Sequence, residues 1–257
     1  MRTTSPVLVA HGIELRYGGA AEPVLGGFDL VLSQGEVIAV LGPSGVGKSS
    51  LLRVLGGLQA PDRGRVAMRG EPLRAVDPRV AIAFQDPSLL PWLTLEANVA
   101  FGLDFKHQPK LSRRERLTRV DAAIAEVGLD HARRLYPVEL SGGMAQRTAL
   151  ARCLARNPDV LLLDEPFGAL DEVTRGEMQE LLLKVVANCG TAAVLVTHDI
   201  DEALLLADRV VLLGGAPARQ LGAWDVALAR PRQDYIAELG ALRVAILQTL
   251  RQAVRQH

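Results

Sequence analysis

A chain of 257 residues, 49% of them hydrophobic, can bury a sizeable core without disulfides or metal, which fits one large α/β domain or two small ones. Lysine plus arginine and aspartate plus glutamate both total 29, so the chain lacks the basic excess with which nucleic-acid binders meet phosphate, and no nucleic-acid partner is expected. The two cysteines, Cys153 and Cys189, have neither metal-site nor CxxC spacing and read as buried or incidental thiols.

Met1 to Pro6 lack the apolar segment of a secretory signal. The longest apolar runs, 160–163 and 203–207, fall far short of the ~18 residues that span a bilayer. The expectation is a cytosolic protein, with any membrane part supplied by another chain. Residues 7–17 and 28–32 read as short strands separated by turns at Gly18–Gly19 and Gly26–Gly27. Gln34–Gly35 then turns the chain into the apolar run 36–41, the pattern of a strand buried on both faces. A glycine-rich loop follows, and then 48–55, helical in pattern.

From about Asp86 to Arg156 the character changes to charged, alanine- and leucine-rich segments. Those over 112–127 and 142–155 predict helices, so this stretch reads as a mostly helical insertion. Residues 160–163 and 192–197 return to buried-strand character, each after a helical stretch, the alternation of a parallel sheet with crossover helices. The tail over 234–256 predicts another helix.

Gly42-Pro43-Ser44-Gly45-Val46-Gly47-Lys48-Ser49 matches the GxxxxGK[ST] phosphate loop in full. Backbone N–H groups can wrap a polyphosphate only where no side chain obstructs the turn, hence the glycines. The following helix aims its N-terminus at the same anion. Lys48 is expected to bridge the β- and γ-phosphates and Ser49 to ligate Mg²⁺, with Ser50 beside them in the nucleotide site. The loop lies between a predicted strand and a predicted helix, the context that the motif requires.

At the end of the strand over 160–163 stand Asp164 and Glu165. Two carboxylates closing an apolar run suit a catalytic edge, because ligands of open α/β sheets sit outside the carboxyl ends of the strands. Asp164 is expected to hold Mg²⁺, and Glu165 to polarise the water that attacks the γ-phosphate.

Leu140-Ser141-Gly142-Gly143, with Gln146-Arg147 following, lies upstream of that edge. With it the sequence resembles the ATP-binding-cassette (ABC) ATPases along essentially its whole length. The resemblance assigns Tyr17 to stacking on adenine and Gln85 to sensing Mg²⁺ and the attacking water. Ser141, Gly142 and Gly143 match the signature loop, Ala169-Leu170-Asp171 the D-loop, and His198 the switch histidine at the γ-phosphate. The fifth signature residue is Met144, where family members often have glutamine.

The implied fold is α/β, a P-loop NTPase core with an N-terminal antiparallel β-subdomain and an inserted α-helical subdomain. Residues 1–257 would form one ABC domain, with 1–85 and 157–222 as core lobe, 86–156 as helical signature subdomain and 223–257 as a short tail. The resemblance also implies that one subunit's signature loop completes the other's ATP site, so a second ATPase copy or close relative is expected.

Phe84-Gln85-Asp86-Pro87-Ser88-Leu89-Leu90-Pro91-Trp92, with Asn98-Val99, Phe101-Gly102-Leu103 and Thr174-Arg175, is similar to the nitrate/sulfonate/taurine importer ATPases. That similarity implies permease docking near Asp86–Leu103, an external substrate-binding protein, and a peripheral place on the cytoplasmic face of the inner membrane. The tail is too short for the regulatory barrel of sugar-importer ATPases. An exporter ATPase is the alternative, or an ABC ATPase working without a membrane. Repair types of the latter would carry a long coiled-coil insertion and ribosomal types two cassettes. A small-molecule kinase on the same loop would not need Leu140–Gly143. The transported compound is not readable from these residues.

Overall fold

The computed structural model describes residues 5–18, 22–105 and 108–255. Met1–Thr4, Gly19 of the expected turn and Gln256 of the expected tail helix lie outside them. The chain divides into two units, Met1–Val76 with Ala192–His257, and Asp77–Thr191.

The first unit opens with β1 (Pro6–Leu15) and β2 (Leu25–Ser33), paired antiparallel. Along β2, Phe28, Leu30 and Leu32 are buried while Asp29 and Val31 are exposed, the period-two pattern of a sheet with one face in the core. Gly26 and Gly27 lie inside β2 and not in the expected turn. Ile13 pairs with Phe28 and Glu14 with Gly26, so Gly27, at φ 83°, is the extra residue of a bulge. A Cβ on Gly26 would stand 2.9 Å from the Pro217 side chain. Bulge and close approach are what demand these two glycines.

Next come β3 (Val37–Leu41), buried at all five residues, and α1 (Lys48–Leu55), which turns Leu51, Leu52, Val54 and Leu55 inward. β4 (Arg63–Met68) pairs with β1, and β5 (Glu71–Pro72) completes an antiparallel sheet ordered β2-β1-β4-β5.

The second unit contains β6 (Val80–Ala83), α2 (Leu95–Ala100), α3 (Arg113–Glu126), α4 (Gly142–Leu154), β7 (Val160–Asp164) and α5 (Glu172–Cys189). The helices expected over 112–127 and 142–155 are α3 and α4. Ser112 starts α3 through a capping box: its Oγ accepts from Glu115 N at 3.2 Å, and the Glu115 carboxylate accepts from Ser112 N at 2.7 Å. Gly190, in the left-handed region at φ 62°, ends α5. β6 and β7 run parallel, with Ala83 beside Leu163.

Back in the first unit, the chain forms β8 (Ala192–Thr197), α6 (Ile200–Leu206), β9 (Arg209–Gly214), β10 (Arg219–Asp225) and α7 (Ile236–Arg255). β3 is parallel to both β8 and β9, and β10 adds antiparallel to β9. Arg232, 98% buried, ties the approach to α7 by donating to the carbonyls of Leu204 and Val226, each at 3.0 Å, and of Ala207. The α/β class expected from the sequence, with an antiparallel N-terminal sheet, parallel strands and inserted helices, is the observed one. Among the described residues no helix is long and apolar enough to cross a membrane.

Candidate nucleotide-binding site

In the first unit the site begins where β3 ends. Leu41 pairs with Thr197, so Gly42 and His198 leave the carboxyl ends of two adjacent parallel strands. Gly45 and Gly47 sit at φ 79° and 109°, conformations that a side chain would strain, and Lys48 starts α1 directly after them. Space is tight as well: a Cβ on Gly42 would lie 2.6 Å from the Leu213 carbonyl oxygen. Lys48 is only 5% exposed, and its Nζ donates to the carbonyls of Gly42 at 2.8 Å and Pro43 at 3.0 Å. A buried ammonium is thereby kept solvated by the loop it serves.

Ser49 is exposed and Ser50 half-buried. Ser50 Oγ lies 2.9 Å from the hydroxyl of Tyr17, which also donates to Gln59 Oε1 at 3.3 Å. The Tyr17 ring, 41% exposed, is thus tied by its edge to the helix that carries Lys48. His198 is exposed. The chain just after it is pinned on both sides: Asp199 N donates to Thr197 Oγ1 at 3.0 Å, and the Asp199 carboxylate caps α6 by accepting from Asp201 N and Glu202 N.

In the second unit Asp164 is the last residue of β7, and Gln85 follows β6 by two positions. Their strands are adjacent and parallel, so both reach the same edge. Glu165 has φ 45°, a left-handed conformation costly for a residue with a side chain, held at a site where strain commonly serves function. A Cβ built on Gly168 lies 3.9 Å from both Gln85 Nε2 and Glu165 Oε2, which places amide and carboxylate around one point.

Ser141 is the N-cap of α4, its Oγ accepting from Met144 N at 3.2 Å. The cap uses only the backbone of Met144, so the unusual side chain there leaves the loop intact. Ser141 and Gly142 are exposed. Asp171 caps α5, accepting from Thr174 N at 3.0 Å and from the Thr174 hydroxyl at 2.7 Å. Those bonds, the backbone one foremost, hold its carboxyl below the usual carboxylate range. Gly143 faces the same threonine: a Cβ there would stand 2.5 Å from Thr174 Cγ2.

The first unit thus gathers Tyr17, the loop Gly42–Gly47, Lys48, Ser49, Ser50 and His198. The second gathers Gln85, Asp164 and Glu165 at its strand edge, and Ser141, Gly142, Gly143 and Asp171 at two helix starts. Two residues that the sequence offers only as motif residues, with no role assigned, also take part. Thr174 packs between the signature glycine and the Asp171 cap, and Gln146, 6% exposed, donates from Nε2 to the Gln85 carbonyl at 2.8 Å. The available signal was a polar residue on a helical face otherwise filled by Ala149, Leu150 and Cys153.

The segment after Gln85 is shaped by Asn98 on α2, which is 0% exposed and bonds Leu90 N, Leu90 O, Leu93 O and Thr94 O. It leaves Trp92 standing out from the surface, 70% exposed.

Residues 25–168 match the family model described as ABC transporter. The aliphatic sulfonates import ATP-binding protein SsuB 1 of Xanthomonas axonopodis pv. citri is 45% identical over 252 residues, covering 91% of this chain and 99% of its own. The taurine import ATP-binding protein TauB of Chromobacterium violaceum is 48% identical over 212 residues, covering 82% of this chain and 80% of its own. Among solved structures, the dimeric post-hydrolysis state of the ATP-binding cassette MJ0796, bound to ADP and Pi, superimposes with a TM-score of 0.75 at 30% identity. That match covers 86% of this chain and 100% of that one. A phosphate loop at one strand edge, a carboxylate and amide at another, and matches of this extent agree, and the chain belongs to the ABC transporter family.

Proposed function

We propose that this chain is the ATP-hydrolysing subunit of an ABC importer for small anions or sulfur and nitrogen compounds, of the aliphatic sulfonate, taurine or nitrate type. The observation that carries the chemistry is the convergence of Gln85 and Glu165 around Gly168, in a chain whose other unit holds Lys48 over a complete phosphate loop. The likeness to sulfonate and taurine import ATP-binding proteins supports the direction of transport and the class of cargo.

In this reading Tyr17 stacks on adenine, and the N–H groups of Gly42–Gly47 receive the phosphates at the start of α1. Lys48 exchanges its two loop carbonyls for β- and γ-phosphate oxygens. Glu165 takes the proton of the water that attacks the γ-phosphate, Gln85 orients that water, and His198 contacts the γ-phosphate. Ser49, Gln85 and Asp164 offer hydroxyl, amide and carboxylate oxygens, the hard donors that Mg²⁺ takes. When bound, Mg²⁺ neutralises charge on the phosphate oxygens.

Ser141–Gly143, with Ser141 and Gly142 exposed at the start of the 13-residue α4, close the triphosphate of a second copy, with Asp171 beside them. ATP therefore joins two chains, and hydrolysis releases them. Residues 86–156 act as the helical signature subdomain, with 1–85 and 157–222 as the core lobe and 223–257 as the tail. The segment Asp86–Leu103 docks on a permease at the cytoplasmic face of the membrane, and an external binding protein delivers the cargo.

The test is uptake, in the source cell, of labelled taurine, longer alkanesulfonates, nitrate and pyrimidine precursors, comparing wild type with Glu165→Gln. Loss of uptake of one compound supports the reading and identifies the cargo. Uptake of the whole panel unchanged in the variant contradicts the importer assignment.

A further inference from the structure

Helix α4 does more than present Ser141. Three of its side chains, with Arg156 beyond it, reach backbone carbonyls of the strand and loop that carry Gln85 and of the chain just before them. Arg156, just past its C-terminus, donates to Pro78 O at 3.4 Å, and Cys153 Sγ lies 3.5 Å from Ile82 O. Gln146 donates to Gln85 O at 2.8 Å. Arg152 then donates to Pro87 O at 2.7 Å and to Ser88 O at 3.0 Å. The chain therefore climbs α4 toward its N-terminus, turns at Gln85 and runs back.

On the return, the spacings agree. Six helical residues from Gln146 to Arg152 rise about 9 Å. The two or three residues from Gln85 to Pro87 and Ser88 span about 7–10 Å when extended. Gln146 sits among Leu150, Leu163, Phe167, Met178 and Leu182, which wall a small apolar cavity. In such surroundings a single hydrogen bond is strongly directive.

We propose that Gln146 is a positioning residue for Gln85, and that with Arg152 it makes the signature helix and the Gln85 loop one mechanical piece. Displacement of the Asp86–Leu103 segment then reaches Gln85 and Ser141 together. The inference rests on the role proposed for Gln85 in ATP hydrolysis, and is tested on the full chain.

Gln146→Met keeps the volume and suits the apolar walls, so it removes the donor and little else. The Gln85 carbonyl, on an exposed residue, can turn to water. The expected result is a kcat for ATP at least tenfold lower, with KM within twofold of wild type and little change in melting temperature. Added to Gln85→Ala, Gln146→Met should change kcat by less than twofold, the non-additivity of two residues acting through one group.

A Gln146→Met enzyme with wild-type kcat, or losses that multiply with those of Gln85→Ala, overturns the positioning role while the ATPase reading stands. A kcat unchanged by Gln85→Ala overturns the role of Gln85 and this inference together. A wild-type chain that binds ATP and never hydrolyses it overturns the ATPase reading itself.

Discussion

Asn98→Ala should lower stability and spoil the surface that carries Trp92. The side chain is completely buried and serves four backbone atoms: Leu90 N at 2.8 Å, Leu90 O at 3.1 Å, Leu93 O at 3.0 Å and Thr94 O at 3.1 Å. Two amide hydrogens are shared among three carbonyls, so the arrangement counts as about three hydrogen bonds, each with a net contribution of about 1 kcal/mol. Leu90, Leu93 and Thr94 are half-buried, so water can reach some of the freed groups and the loss comes down to about 2–3 kcal/mol. For a chain of this size that lowers the melting temperature by about 4–12 °C. Asn98→Asp should do no better, because its second oxygen would face carbonyls where the amide nitrogen now donates. Thermal unfolding followed by circular dichroism measures the shift. An Asn98→Ala chain melting within 2 °C of wild type would refute the view that this one side chain organises the segment.

Further outcomes follow from the same geometry. Gly143→Ala drives Thr174 out of the Asp171 cap, so ATP-driven association should weaken at least tenfold in light scattering, and adding Thr174→Ser, which removes the obstructing methyl and keeps the hydroxyl, should restore it. Tyr17→Ala should weaken ATP binding several-fold in calorimetry and leave tripolyphosphate binding unchanged, since in the proposed reading only the base meets the ring. Burial pushes the Cys153 thiol up to about 11, so a maleimide at pH 8 should label only the exposed Cys189, and Cys153 only after denaturation, as mass spectrometry would count.

Which parts were legible from sequence has a physical reason. Strands buried on both faces, β3, β8 and the run 160–163 of β7, announce themselves as apolar runs because nothing along them faces water. The phosphate loop is equally plain, since its chemistry is backbone chemistry and glycine spacing is its trace. Gly26–Gly27 misled because their reason lies far along the chain, in the bulge against β1 and the Pro217 side chain. The hairpin of β9 and β10 was not anticipated; β10 is exposed or half-buried throughout and carries no alternating apolar face. The strained φ of Glu165 and the place of Thr174 are tertiary facts with no local signature, and the bond from Gln146 to a carbonyl 61 residues away leaves only a polar residue on an apolar helical face.

The most direct test of the account is the mass of the Glu165→Gln chain in solution with Mg²⁺ and ATP, and with ADP, measured by light scattering. Removing the proposed general base should slow turnover by about 10²–10⁴-fold and trap the ATP state. The account predicts a mass twice that of one chain with ATP and a single-chain mass with ADP. A variant that binds ATP, stays a single chain and still releases phosphate at the wild-type rate would contradict it.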